Sequence, residues 1–241
     1  MTQPTTDSAA SAATTPAIQD KGLFARAAGI IFAPRQTFEV IAARPRPFAM
    51  LVFTLVATAV LTGGFFFTAV GQQAFLDMME KRGGGAQQLE LMQKIAPYMG
   101  YITIGQLLIV TPIALLAFAG ILLAVFTLLG GGATFKQVFA VVVYTTVISV
   151  VGQLVILPLN YVTGSMTTST NLGVLLPMLD ERSFLALLFG TIDLFRVWLV
   201  MVLAIGLAVI YKRKTGPIAV SLFVLYGLIA VVYAAISAAR S

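Results

Sequence analysis

Residues 100–129 read GYITIGQLLIVTPIALLAFAGILLAVFTLL, a stretch without one charged side chain. A helix rises 1.5 Å per residue, so about 20 apolar residues cross a hydrocarbon core roughly 30 Å thick. The stretch therefore predicts a spanning helix with residues to spare, tilted or protruding, and Thr111-Pro112 should kink it. Four more stretches meet the same requirement: about 48–70, 136–159, 184–211 and 217–238. The expected fold is all-α, a polytopic membrane protein with a bundle of five transmembrane helices over residues 48–241. Composition agrees, with 59% hydrophobic and only 10% charged residues. A soluble fold carries roughly 25% charged residues to cover its surface.

Ahead of the first span, residues 22–47 change character. Leu23, Phe24, Ala27, Ile30 and Ile31 recur at helical spacing; Pro34 interrupts, and Phe38 and Ile41 resume the apolar stripe. Two short amphipathic helices fit, either interfacial, lying among the headgroups, or packed under the bundle. Residues 1–21, rich in Ser, Thr, Ala and Pro, read as a disordered cytoplasmic tail and lack the basic start and apolar core of a secretory signal. Between the first two spans, residues 71–99 suggest a helical hairpin on the outer surface. Residues 160–182 suggest an irregular loop.

Charge orients the bundle. Lys21, Arg26, Arg35, Arg44, Arg46, Lys136, Lys212, Arg213 and Lys214 all fall on the amino-terminal side, against Asp7, Asp20 and Glu39. On the other side five basic residues meet five acidic ones, so the whole net charge of +6 lies on the first side. The positive-inside rule makes that side cytoplasmic and puts the carboxyl terminus outside. Arg26, Arg35, Arg44, Arg46, Lys212, Arg213 and Lys214 are thus expected as a basic membrane surface, and the basic balance needs no nucleic acid.

With no cysteine and no histidine, the chain excludes disulfides, thiol chemistry, His/Cys metal sites and His-based triads. No cofactor is expected. Gly130-Gly131-Gly132 lacks the G-K-[ST] ending of a phosphate loop. Asp193 is the only acid well inside a span, and the lysines sit at boundaries, which argues against a two-aspartate protease or a Ser–Lys dyad and so against an enzyme. An ionisable group in lipid costs about 2.5–3.5 kcal/mol on insertion scales. Asp193 and Arg196, three apart, would share a helix face and either neutralise each other or form a site. Gln106, Gln153, Asp193 and Arg196 all fall in the outer half of the membrane, and one hydrogen-bonded cluster of the four is expected there. Gly227, Ala230, Ala234 and Ser237 form a small-residue stripe for close packing, within the chain or with a second copy.

Three stretches resemble a known family, the Ypt-interacting-protein (Yip) membrane proteins, in its bacterial branch. RAAGIIFAPRQTFEVIAARP carries Pro34, the Thr37-Phe38 pair, Ile41 and Pro45. GGGATFKQVFAVVVYTTV carries a glycine turn, Thr134-Phe135, Gln137-Val138 and Tyr144. FRVWLVMVLAIGLAVIYKRK carries Trp198, Ile205-Gly206-Leu207 and a basic exit. The resemblance implies a five-helix bundle with a cytosolic amino terminus, here in a bacterial inner membrane. Eukaryotic relatives are membrane-trafficking factors that contact Rab-type GTPases and one another. This tail lacks their Asp-Leu-x-Gly-Pro motif, so GTPase binding is not carried over. Two functions compete: a membrane scaffold or adaptor whose partners are the lipid bilayer and a membrane protein or second copy, and a small permease or channel using the outer-half polar cluster.

Overall fold

The computed structural model describes residues 22–81, 85–166, 170–175 and 183–239. The expected tail, 1–21, and much of the expected 160–182 loop lie outside these. Among the described residues the chain is helical, its one β pairing being an isolated bridge between Asn171 and Asp193.

Proline sets the first boundaries. α1 (Leu23–Phe32) ends at Ala33, and α2 (Pro34–Ala43) begins with proline at its first position. A residue before proline is kept out of the helical region, and Ala33 (φ −144°, ψ 61°) and Arg46 (φ −125°, ψ 69°) both obey. Pro47 then opens α3 (Pro47–Phe66). The 71–99 region forms the expected helical pair, α4 (Ala69–Lys81) and α5 (Ala86–Ile95). α6 (Met99–Leu128) follows, and a single tightened turn at Thr146 (φ −64°, ψ −13°), itself in the right-handed helical region, separates α7 (Phe135–Thr145) from α8 (Val147–Thr163). The chain ends with α9 (Phe184–Thr191), α10 (Leu194–Ile210) and α11 (Thr215–Ala238).

Among the described residues, four helical stretches are long and apolar enough to cross a membrane: Pro47–Phe66, the one ending at Leu128, Phe135–Thr163 and Thr215–Ala238. The expected span 184–211 is instead divided. Neither α9, 8 residues long, nor α10, 17 residues long, reaches the roughly 20 residues of a straight crossing.

α7 is the central pillar. Every residue from Val138 to Thr145 is buried, as expected of a helix apolar on all sides. α2, α3, α6 and α10 pack around it. The outer faces carry Ile109, Ile113 and Ile121 on α6 and Val224, Leu228 and Val232 on α11, all more than half exposed. So continuous an apolar surface is what lipid, and not water, would cover. The small-residue stripe of α11 is spent largely inside: Ala230 and Ala234 are buried, while Gly227 is exposed.

α1 and α2 pack under the bundle. Ala27, Ile30, Phe38 and Ile41 join the main core, and α2 packs directly on α10 and α7. Their remaining faces stay outward, with Phe24 73% and Phe32 84% exposed. The pair is thus docked on protein through one face and free to meet the membrane surface through the other.

Candidate functional site

The end of the bundle closed by α1 and α2 gathers side chains from elements far apart in sequence. Thr134 caps α7: its hydroxyl accepts from the Gln137 amide at 3.3 Å, while Gln137 Oε1 accepts from the Thr134 amide at 2.9 Å. This reciprocal capping box satisfies two otherwise orphaned donors. It leaves the Gln137 amide nitrogen free to reach across and donate to the carbonyl of Ala42, at the end of α2, at 3.0 Å. Two turns further along α7, Tyr144 donates to the carbonyl of Arg46 at 3.4 Å and accepts from Arg26 Nη1 at 3.4 Å. Two α7 side chains therefore tie down both the end of α2 and the turn before α3.

Arg26 departs from expectation here. It is 3% exposed and not part of a basic surface. A guanidinium can be buried only where its donors find acceptors, and the Tyr144 hydroxyl supplies one.

α10 completes the junction through Gly206. A methyl group at that position would come within 2.5 Å of Val141 Cγ1 and 3.0 Å of the Phe38 ring, so α10 lies directly against α7 and α2. The two neighbouring turns are joined as well. Phe126 and Tyr211 stack with ring centroids 4.6 Å apart, Arg213 donates to the carbonyl of Leu129, and Gly131 (with no side chain) makes room for the Tyr211 ring. Around this closed centre Arg35, Arg44, Arg46, Lys136, Lys212, Arg213 and Lys214 are exposed. The Arg35–Glu39 pair at 3.6 Å is open to solvent, and such pairs contribute little. The result is a sealed apolar plug with a positively charged rim.

The family pattern lies on this junction: Thr37 and Phe38 from α2, Thr134, Gln137 and Tyr144 from α7, Gly206 from α10. A family model for the Yip1 domain matches residues 28–237. The chain belongs to the Yip1 domain family. It is also similar to Membrane protein YknW of Bacillus subtilis (strain 168), 26% identical over 213 residues that cover 84% of this chain and 86% of the relative. No solved structure matches it.

The half of this Yip1 domain away from the basic end places the four expected cluster residues apart. Gln106 is exposed on the outer face of α6. Gln153 turns inward and accepts from the Thr62 hydroxyl of α3 at 3.1 Å. Asp193 is 7% exposed and is not within a helix at all. It stands at the break between α9 and α10 and caps α10, accepting from the amides of Phe195 at 2.9 Å and Arg196 at 3.2 Å and from the Thr170 hydroxyl. Arg196 points its side chain outward, exposed. Asp193 and Arg196 thus meet through a backbone amide and form no side-chain ion pair. In place of one cluster there are two separate contacts, Thr62–Gln153 between α3 and α8 and Thr170–Asp193 between a loop and the break.

Most of the polar backbone at the break is answered. Leu172 donates to the carbonyl of Ile192 at 3.0 Å, Leu194 donates to that of Thr170 at 3.2 Å, and Tyr226 of α11 donates to that of Thr191 at 2.6 Å. Irregular backbone at membrane depth is tolerated where protein satisfies it, and here a loop and a neighbouring helix do so.

Between the break and the plug lies a cavity of about 340 Å³. α3 contributes Thr54 and Thr58, α6 Thr111, and the α7–α8 region Thr145, Thr146, Ser149 and Gln153, with Leu199 and Leu203 of α10 as an apolar wall. Among the described residues, no charged one lines it.

Proposed function

We propose that this Yip1 domain protein is an integral membrane scaffold or adaptor that works through its basic end. In this reading α9 and α10 together make the fourth of five crossings, the amino-terminal side faces the cytoplasm of a bacterial cell, and the rim of arginines and lysines meets an acidic surface on a membrane-protein partner. The observation that carries the reading is the plug: Phe38, Val138, Val141 and Leu207 have no exposed surface and close the bundle at the end where the charge collects. Closed, rigid and positively charged, such an end is suited to holding a partner and unsuited to passing a solute. A permease would need a polar route through that junction, which is why that alternative is not preferred.

Charge reversal separates the two. In the full chain, Arg35→Glu, Arg44→Glu and Lys136→Glu together should reduce crosslinked capture of the physiological partner in native membranes by about tenfold or more, since rim charges govern encounter and selection. Gln153→Ala, in the outer half, should leave capture unchanged. Capture indifferent to the three reversals, or solute uptake abolished by Gln153→Ala, would count against the adaptor.

A further inference from the structure

We propose that the hydroxyl-lined cavity is a binding site for a neutral acyl ester, a lipid of the diacylglycerol class, entering sideways from the bilayer. The reading is independent of what the basic end does. Three observations carry it.

First, the cavity lies at hydrocarbon depth. Counted along α7, α8 and α10 from the basic end at 1.5 Å per residue, its lining runs from roughly 10 Å at Val142 and Leu203 to roughly 27 Å at Gln153. Toward the basic end it stops at the plug. α6 and α10 line opposite sides of it, yet they share no substantial packing contact, each being held by α7. In this proposal the lipid enters through the gap between them.

Second, its polar groups are a surplus of donors. The hydroxyls of Thr54, Thr145 and Thr146 donate to carbonyls of their own helices, at 3.0, 2.8 and 2.7 Å. Those of Thr58, Thr111 and Ser149 have no hydrogen-bond partner among the described residues, and the Gln153 amide nitrogen has none beside the Oε1 contact to Thr62. Unanswered donors in hydrocarbon are costly, so they call for an acceptor. The neutral acceptors that bilayer lipids carry are ester carbonyl oxygens, which sit at the edge of the hydrocarbon core and can be drawn into a cavity that offers donors.

Third, the lining is without charge, so nothing balances a phosphate or an ammonium brought inside. Leu199, Leu203, Leu115 and Phe118 give an acyl chain its apolar wall, and the volume lies within the range of about 300–1,000 Å³ found for small-molecule sites. Neutral ester plus chain is the chemistry that matches both halves of the lining.

The test uses the full chain in nanodiscs with photoreactive lipids of one chain length: a diacylglycerol, its diether analogue without carbonyls, and a phosphatidylglycerol. The diacylglycerol should label the cavity helices saturably and several-fold above the other two. Ser149→Ala should weaken labelling about threefold, and Thr58→Val, Thr111→Val and Ser149→Ala together about twentyfold, taking the modest strength of hydrogen bonds within membranes. The single variant keeps the test decisive if the triple one does not fold. Equal labelling by ester and ether, equal labelling by the phospholipid, no saturation, or labelling unmoved by Ser149→Ala would each overturn the proposal.

Discussion

Gly206→Leu is expected to lower the stability of the folded bundle by about 3 kcal/mol or more, and Gly206→Ala by about 1–3 kcal/mol. Even the first added carbon would stand 2.5 Å from Val141 Cγ1. Val141 cannot give way easily: a β-branched side chain in a helix has one strongly preferred rotamer, and this one is fully buried. Phe38, on the other side, is equally enclosed. The strain therefore passes to the backbone, and α10 must move off α7 and α2 together. Thermal unfolding in detergent or nanodiscs reads the loss. A substitution of the same size at exposed Val224 on α11 controls for the general effect of mutating a membrane helix and should shift the transition little.

Asp193→Ala is the second large effect, about 3 kcal/mol. Removing the carboxylate strands the amides of Phe195 and Arg196 and the hydroxyl of Thr170 at a site already 7% exposed. Water is poorly placed to replace it there, so the cost exceeds that of a cap lost at a soluble surface. Asp193→Asn keeps a side-chain oxygen for the same amides and should cost less than about 1 kcal/mol. A pair of values in that order identifies a cap. Equal losses for Ala and Asn would instead require the negative charge itself, the ion-pair role that the sequence suggested and that the outward Arg196 does not fill.

Four of the five expected apolar spans were legible because the period and length of a hydrophobic run are read directly from the sequence. Helix pairing at 71–99 was legible for the same reason. Residues 22–43 left two readings open, since an amphipathic stripe specifies that one face is covered and not whether lipid or protein covers it. Arg26 shows the limit most plainly. Its surroundings depend on Tyr144, 118 positions away, and no local pattern distinguishes it from Arg35 or Arg44. The break at Ile192–Asp193 was hidden by its neighbours: Asp193 and Arg196 at a spacing of three imitate a helical ion pair. An aspartate directly before the apolar run LFRVWLVMVLAIGL also reads as an N-cap, and that was the available signal. Gln106 and Gln153 are alike in sequence, and only packing sends one outward and the other toward Thr62. The cavity could not be foreseen at all, because its hydroxyls come from four helices and single Thr and Ser residues are ordinary in spanning segments.

The account rests on α1 and α2 being held rigidly against the end of the bundle. The chain contains no cysteine, so two spin labels can be placed without background, one at exposed Glu39 on α2 and one at exposed Lys212 beyond α10. Double electron–electron resonance in nanodiscs should then show one narrow distance distribution, which broadens in Gly206→Leu. A broad distribution in the otherwise unaltered chain, as from helices lying loose among the headgroups, would contradict it.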